Sequence, residues 1–168
     1  RYPSFDAYKQ AKAVVYKKAK HCVINRDEPE SAELAGECDC ISYGLDEPVS
    51  NNDFGLRMID GTAWLVHGDE TLCRASEIRM PGRHNLSNVL AAMALAYCAG
   101  IIDTLAIEAA KTFPGLPHRC EWLGEWNGVS LFNDSKGTNV GATVAALQGL
   151  QQMVVLIAGG QAKGAEFS

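Results

Sequence analysis

A polar loop between an apolar strand and a predicted helix carries the most chemically capable residues of the chain. Residues 133–139 read Asn-Asp-Ser-Lys-Gly-Thr-Asn. Ligands of open α/β sheets bind at the carboxyl ends of strands, and helix N-termini bind anions. Asp134 could bind a ribose or a cation, and Lys136 and Thr138 could hold a carboxylate or a phosphate. An ordinary N-cap loop explains the same residue types equally well.

A glycine-rich turn at residues 159–164 follows the next predicted strand and carries Lys163. The turn lacks the G-x-x-x-x-G-K-[ST] spacing of a phosphate-binding P-loop. Its position is more informative than its sequence, because neighbouring strand ends would bring Lys163 close to Lys136.

Two further segments carry residues that suit a nucleotide. Asn85 and Asn88 lie three positions apart at a predicted helix start, so they share a face, and an amide suits an adenine edge. Capping by Asn85, with Asn88 simply exposed, is the alternative. Arg119 follows a predicted linker, where an arginine could reach a phosphate on another domain. A surface charge or an interdomain salt bridge is the commoner role.

Lys12 occupies an unexpected position on the first predicted helix, residues 5–19. On a helical wheel it falls within an apolar arc that includes Phe5, Tyr8 and Val15. A lysine among apolar neighbours is costly unless it is paired, neutral or modified. Snorkelling of its head group to water is the alternative.

The composition is that of a soluble globular protein. The chain has 168 residues, of which 47% are hydrophobic and 21% charged, with a net charge of −5. Its length allows one domain or two small ones. The acidic balance argues against a nucleic-acid partner, and the longest apolar runs are too short to span a membrane.

The predicted elements alternate between helices and strands, as in an α/β fold. Asp60-Gly61 and Asn127-Gly128 each predict a two-residue hairpin turn. Pro114–Pro117 predicts a linker, dividing the chain into domains 1–115 and 116–168. We predict helices at 5–19, 28–37, 84–100, 104–113 and 139–147, and strands at 22–25, 41–44, 56–59, 63–67, 120–126, 129–132 and 153–157. A parallel βαβ unit is predicted from the last three elements along the chain, which are the strand at 129–132, the helix at 139–147 and the strand at 153–157.

The cysteines do not form a recognisable framework. None makes a C-x-x-C pair, and Cys38-Asp39-Cys40 lacks a second pair with zinc spacing. We therefore expect reduced thiols and a cytoplasmic location. The six are Cys22, Cys38, Cys40, Cys73, Cys98 and Cys120. The opening Arg1-Tyr2-Pro3 is not an initiator sequence, so we expect the chain to be part of a longer protein.

Taken in order, these segments resemble the MurD-type ligases of the Mur ligase family. The resemblance rests on Arg1-Tyr2-Pro3 with Tyr8 and Ala11-Lys12, on 82–88 (Gly-Arg-His-Asn-Leu-Ser-Asn), on 115–119 (Gly-Leu-Pro-His-Arg) and on 133–139. The turn at 159–163 is also similar, although the family more usually has Asp-Gly where Gln161-Ala162 stands. The Asn-Asp-Ser-Lys sequence separates this type from the sister Mur ligases and from folylpolyglutamate synthases.

The resemblance implies a fold and an activity. The fold would be the second half of a central ATPase domain, a parallel sheet with a small antiparallel hairpin part, joined to the start of a Rossmann-like C-terminal domain. The activity would be ATP- and Mg²⁺-dependent addition of D-glutamate to UDP-N-acetylmuramoyl-L-alanine through an acyl phosphate, in peptidoglycan precursor synthesis.

The resemblance also implies roles for single residues. Lys12 would be carbamylated and would hold Mg²⁺. Asn85 and Asn88 would contact adenine, Arg119 the ATP phosphates and Asp134 the ribose. D-Glutamate would be held by Lys136, Thr138 and Lys163, and Lys136 would also be catalytic.

Other functions are compatible with the same residues. The chain contains no P-loop, so we expect the isolated 168 residues to have no ligase activity. The alternatives are a sister Mur ligase or folylpolyglutamate synthase, a non-catalytic nucleotide-binding module, and an α/β interaction domain without a ligand.

Overall fold

The computed structural model describes residues 2–36, 38–150 and 153–160. The helices and strands of this part of the chain follow one another as α1 (Phe5–Ala13), β1 (Cys22–Asn25), α2 (Pro29–Ala35), β2 (Cys40–Tyr43), β3 (Phe54–Ile59), β4 (Thr62–His67), β5 (Glu70–Arg74), α3 (Arg83–Cys98), α4 (Asp103–Thr112), β6 (Glu121–Trp126), β7 (Val129–Asn133) and α5 (Val140–Gly149). The predicted α/β class is confirmed.

The main sheet is mixed, with strand order β1-β2-β3-β4-β5. Strands β1, β2 and β3 run parallel, and β3, β4 and β5 form an antiparallel meander. The predicted hairpin turn between β3 and β4 is present, with Asp60 at φ 48° and Gly61 at φ 74°. Positive φ at both central residues is the requirement of a type I′ turn, which favours Asp-Gly. Strand β5 was not predicted from the sequence.

The hydrophobic core lies where α3 packs against this sheet. Phe54 of β3, Leu65 of β4 and Leu90 of α3 are fully buried within one cluster. The predicted linker, Pro114–Pro117, lies between α4 and β6 without regular secondary structure. Beyond it, β6 and β7 form a separate antiparallel pair around Asn127-Gly128. Among the described helices, none combines the length and the apolar character needed to cross a bilayer.

The first helix is shorter than predicted and presents the other face to the protein. Helix α1 ends at Ala13, and turns follow to residue 18. Phe5 and Val15 of the apolar arc are each 67% exposed, while Ala13 is buried. Lys9, from the face that the wheel treats as polar, is partly buried and pairs with Glu30 of α2 at 3.9 Å. The apolar arc of this helix is therefore exposed in the described structure, and the contact of α1 with α2 includes Lys9 instead.

The predicted strand at 153–157 is not formed. Residues 153–160 have no strand assignment, and Met153, Val155 and Ile157 are almost fully exposed. A strand requires a neighbour for its backbone hydrogen bonds, and no described strand pairs with this segment. The second strand of the predicted βαβ unit is therefore absent from the described structure.

The prediction of six reduced cysteines is also wrong. Cys22 and Cys38 form a disulfide, and Cys40, Cys73, Cys98 and Cys120 are free. The parallel pairing of β1 with β2 places Cys22 opposite Cys40, two residues after Cys38. Sequence spacing alone does not reveal this proximity, because it is created by the register of the two strands.

Two leucines of α3 test the position of the core. We expect Leu90→Ala, at a fully buried site, to lower the free energy of unfolding by about 2–5 kcal/mol, because it removes buried methyl groups and leaves a cavity. The control is Leu95→Ala on the same helix, where the side chain is 59% exposed and the expected change is within about 0.5 kcal/mol. Urea unfolding measures both, and equal losses would contradict this packing.

Candidate functional site

The loops that flank the β6–β7 hairpin are joined to each other by two backbone-anchored hydrogen bonds. The amide of Lys136 donates to the carbonyl of His118 at 3.0 Å. The amide of Cys120 donates to Oδ1 of Asp134, also at 3.0 Å. Arg119 lies between the two residues that make these contacts on the first loop. The structure therefore brings together the predicted residues Arg119, Asp134 and Lys136.

The first of these loops has an uncommon backbone conformation. His118 and Cys120 have φ angles of 65° and 47°, in the left-handed region. Non-glycine residues keep such conformations where surrounding contacts enforce them, and such positions cluster at functional sites. Here the amide of His118 donates to Oε2 of Glu121 at 2.8 Å, and the ring of His118 is hydrogen-bonded to the side chain of Asn133 at 2.8 Å. Arg119 is exposed between the two enforced positions.

The second loop requires a glycine beside Asp134. A Cβ added to Gly137 would lie 2.6 Å from Oδ2 of Asp134, and the Gly137 amide donates to the Asp134 carbonyl at 2.8 Å. Asp134 is partly buried, whereas Lys136 and Thr138 are exposed. Thus the loop folds tightly around one carboxylate and leaves its cation and its hydroxyl accessible.

The N-cap alternative accounts for only part of this loop. Asn139 is the N-cap of α5, and its side chain accepts a hydrogen bond from the amide of Ala142 at 2.8 Å. Asp134 instead binds the opposite loop, so capping does not explain it. Capping also leaves the presence of Lys136 and Thr138 unexplained.

The start of α3 carries the two candidate adenine contacts. Gly82 precedes the helix at φ 100°, and the Asn85 amide group donates to the carbonyl of Pro81 at 2.7 Å. Asn88 is exposed. Asn85 therefore helps to form the helix start. The polar groups that a ligand could still contact are the side-chain oxygen of Asn85 and the side-chain amide of Asn88.

His84, which the sequence analysis did not single out, connects α3 to the loop site. Burial lowers the pKa of His84, and the negative charge of Asp134 opposes that shift. Its Nδ1 is buried without a hydrogen-bond partner among the described residues. A Cβ added to Gly82 or Gly149 would lie 2.9 Å from the His84 ring. Only Gly82 lies near His84 in the sequence, and the approach of Gly149 is created by the fold, so little in the sequence singles out this histidine.

A cavity of about 340 Å³ lies beside His84, between the start of α3 and the end of α5. Leu86, Phe132 and Leu150 give it an apolar lining, and Gly82 and Arg83 complete one side. Its volume falls at the lower end of the roughly 300–1,000 Å³ typical of small-molecule sites.

The described structure does not bring Lys12 to the loops, and it does not include Lys163. Lys12 is exposed on α1, and its ammonium lies 5.4 Å from the centre of the Tyr8 ring. Lys163 and most of the turn at 159–164 lie outside the described residues, as do Arg1 and Gln161.

The described residues do not by themselves form a magnesium site. Magnesium is bound by oxygen ligands in octahedral geometry. In the described part of the chain, the one group of three or more side chains of metal-ligating type consists of Cys22, Cys38 and Cys40. Cys22 and Cys38 are joined in a disulfide, and sulfur ligands suit soft metals rather than magnesium. A carbamate on Lys12 would add oxygen ligands from one residue only, so a complete magnesium site would need ligands from beyond these residues.

Comparison with known proteins identifies the family. Residues 1–96 match the Mur ligase middle domain, which is more than half of the chain. The chain therefore belongs to the Mur ligase family, as the sequence motifs indicated.

The similar curated proteins are of the D-glutamate-adding type. The UDP-N-acetylmuramoylalanine–D-glutamate ligase of Nitrosococcus oceani is 48% identical over 171 residues, covering 100% of this chain and 38% of that protein. The enzyme of the same name from Methylobacillus flagellatus is 45% identical over 169 residues, covering 100% of this chain and 37% of that protein. The chain thus spans less than two-fifths of the length of these relatives.

Solved structures of Mur-type ligases share the fold. MurF from Acinetobacter baumannii superposes with a TM-score of 0.69 at 19% identity, over 91% of this chain and 34% of that one. A pseudomurein peptide ligase type C from Methanothermus fervidus gives 0.70 at 20% identity, over 88% of this chain and 38% of that one. At these identities the similarity establishes the fold alone.

The electrostatic link between Asp134 and His84 can be tested by titration. Asp134→Asn removes the charge that raises the pKa of His84, so we expect that pKa to fall further below its ordinary value of about 6.5. The unfolded chain then binds more protons than the folded one below about pH 6.5, so the loss of stability on acidification should deepen. NMR titration of the His84 ring measures the shift. Ser135→Ala is the matched control, and an unchanged or higher pKa in Asp134→Asn would contradict the arrangement.

Proposed function

We propose that the protein containing this chain is an ATP-dependent ligase that joins D-glutamate to UDP-N-acetylmuramoyl-L-alanine. The observation that carries the proposal is the joining of the two hairpin loops, which gathers Arg119, Asp134 and Lys136 within one small surface. A carboxylate can accept hydrogen bonds from ribose hydroxyls, and nearby cations can bind phosphates and carboxylates. The two relatives named above carry the name of this reaction, and they supply its substrates.

The nucleotide would lie across the start of α3 and the hairpin loops. The adenine would enter the apolar cavity beside Leu86 and Phe132, with Asn85 and Asn88 at its polar edge. The carboxylate of Asp134 would accept hydrogen bonds from the ribose hydroxyls, and Arg119 would bind the phosphates through charge-assisted bonds. Burial around the base would add affinity through removal of apolar surface from water.

The incoming amino acid would bind where the second loop exposes its cation. D-Glutamate carries two carboxylates, so recognition requires cations together with hydroxyl or amide donors. Lys136 and Thr138 are exposed on one loop and supply both types of donor, and Lys163 would supply a second cation. The amine of D-glutamate would remain free to react.

The reaction would take place in two steps. The alanyl carboxylate of the UDP substrate attacks the γ-phosphorus of ATP, which forms an acyl phosphate and releases ADP. The amine of D-glutamate then attacks the acyl carbon, forming the amide and releasing phosphate with loss of a proton from the amine. Lys136 and Arg119 would offset negative charge as it develops on the transferring and leaving groups.

Lys12 would act after conversion to a carbamate. Its neutral amine would add to carbon dioxide, forming an N-carboxylate and releasing one proton, so a cation would become an anion able to bind magnesium. Magnesium, when bound, would neutralise charge on the ATP phosphates. The remaining ligands would have to come from residues outside the described ranges.

The proposal has further parts that follow from it. Domains 1–115 and 116–168 would belong to the central ATP-binding domain and to the D-glutamate-binding domain, respectively. The partners would be small molecules rather than nucleic acids or membranes, and the location would be the cytoplasm, where peptidoglycan precursors that support cell shape and division are made.

The site can be tested with two substitutions, each of which should raise the KM for a different substrate. In the natural protein that contains this chain, Lys136→Ala should raise the KM for D-glutamate about 10- to 100-fold, as expected for a lost charge-assisted hydrogen bond. Asp134→Asn should raise the KM for ATP about tenfold and leave that for D-glutamate nearly unchanged. Phosphate release measures both.

The matched control is Lys18→Ala, which removes an exposed lysine from another surface and should change neither KM. Equal increases in both KM values in each variant would contradict the assigned roles. Turnover with another amino acid in place of D-glutamate would favour a sister ligase. The isolated 168 residues should give no turnover, because they contain no P-loop.

The carbamate can be observed directly. Natural protein incubated with ¹³C-bicarbonate should show one carbamate resonance in its ¹³C NMR spectrum, and the signal should grow with pH because the neutral amine is the reactive form. Lys12→Arg should abolish the resonance, while Lys18→Arg should retain it. Absence of the signal in the unmodified protein, or its persistence in Lys12→Arg, would contradict the role of Lys12.

A further inference from the structure

Three cysteine sulfurs gather at one end of the parallel strand pair, away from the loop site. Cys22 of β1 and Cys40 of β2 are direct partners in the strand register. Cys38 lies two positions before Cys40, so the two fall on the same side of an extended chain. The three sulfur atoms all lie within 4.8 Å of one another, and those of Cys22 and Cys38 are bonded. A disulfide with a third thiol beside it is a group that can undergo exchange.

The backbone spacing allows Cys22 to pair with either of the other two. Its Cα lies 6.5 Å from that of Cys38, within the roughly 4.4–6.8 Å that disulfides span. Paired residues of neighbouring strands lie about 4.8 Å apart, so Cys22 and Cys40 also fall in that range. The Cα spacing therefore permits either bond.

The three thiols differ in access to solvent. Cys22 is 2% exposed, whereas Cys38 is partly buried and lines a cavity of about 510 Å³. The cavity is open between α1 and α2, and Lys17 and Glu33 also line it. Cys40 is partly buried, and burial together with the charge of Asp39 raises the pKa of its thiol. Since the thiolate is the reactive form, Cys38 is the thiol best placed to meet a small oxidant first.

We propose that Cys22, Cys38 and Cys40 form a reversible oxidation site that responds to a hydroperoxide. The Cys38 thiolate attacks one peroxide oxygen of hydrogen peroxide and breaks the O–O bond, giving a sulfenic acid and hydroxide, which takes up a proton to become water. The Cys22 thiolate then attacks the sulfenic sulfur, which forms the disulfide and releases hydroxide as a second water. Overall, two thiols and one hydrogen peroxide give one disulfide and two waters.

Cys40 has a separate role, as the exchange partner. Its thiolate can attack the Cys22 sulfur of the disulfide, forming a Cys22–Cys40 bond and releasing the Cys38 thiolate with no net oxidation. The disulfide also ties the segment after α2 to β1, and α2 forms the cavity wall opposite α1. This site uses none of the loop residues and does not depend on the proposed ligase function.

Mapping of disulfides after mild oxidation tests the proposal. The natural protein that contains this chain is reduced, freed of reductant, treated with an equimolar amount of hydrogen peroxide, blocked with N-ethylmaleimide, digested and analysed by mass spectrometry. We expect Cys22–Cys38 as the main disulfide, while Cys73, Cys98 and Cys120 are recovered with the blocking group. The proposal would be overturned if Cys98 or Cys120 were oxidised before the Cys22–Cys38 disulfide formed. Disulfides between molecules at low protein concentration would also overturn it.

Two serine variants separate the roles within the cluster. Cys38→Ser should form Cys22–Cys40 instead, several-fold more slowly, because Cys40 is the less reactive thiol. Cys40→Ser is the matched control, and it should form Cys22–Cys38 at the unmodified rate. Failure of Cys38→Ser to form Cys22–Cys40, or an unchanged rate in that variant, would overturn the assignment, and the mapping of the unmodified protein stands even where a variant does not fold.

Discussion

The register of the β6–β7 hairpin is the constraint on which the candidate site depends. Glu121, at the start of β6, is opposite Asn133, at the end of β7. The two loops that continue from these residues must therefore leave the hairpin side by side, and the bonds from Cys120 to Asp134 and from Lys136 to His118 follow from that geometry. A slip of one residue would turn every side chain of one strand to the other face. The tight turn at the far end of the hairpin thus helps to determine which polar groups meet.

Asp134 contributes to this arrangement both through a hydrogen bond and through its negative charge. Its carboxylate accepts a hydrogen bond from the Cys120 amide. Burial raises the pKa of the Cys120 thiol and the charge of Asp134 adds to that shift, whereas the same charge opposes the burial that lowers the pKa of His84. One partly buried charge therefore acts on both the hairpin and the start of α3. A ligand hydroxyl that binds this carboxylate would be recognised by a group already fixed in position, so little orientational freedom would remain to be lost on binding.

The sequence predicts features that depend on local chemistry and fails where distant packing decides. The turns at Asp60-Gly61 and Asn127-Gly128 and the helices α3 and α4 were predicted because their residues favour those conformations by themselves. The orientation of α1 was not, because an apolar arc does not reveal which neighbour will cover it. The disulfide between Cys22 and Cys38 was missed for a similar reason: strand pairing, not spacing, brings the sulfurs together.

The loop site and Lys12 differ in the contacts that each requires from the rest of the natural protein. Asp134, Arg119 and Lys136 are already gathered by contacts within this chain. Lys12 is exposed beside Tyr8, whereas carbamylation of a lysine requires its neutral amine. The exposed Phe5 and Val15 leave an apolar surface around it. Apolar surroundings favour the neutral form of an amine, so the proposed chemistry of Lys12 requires another surface that covers this arc, a contact that the loop site does not need.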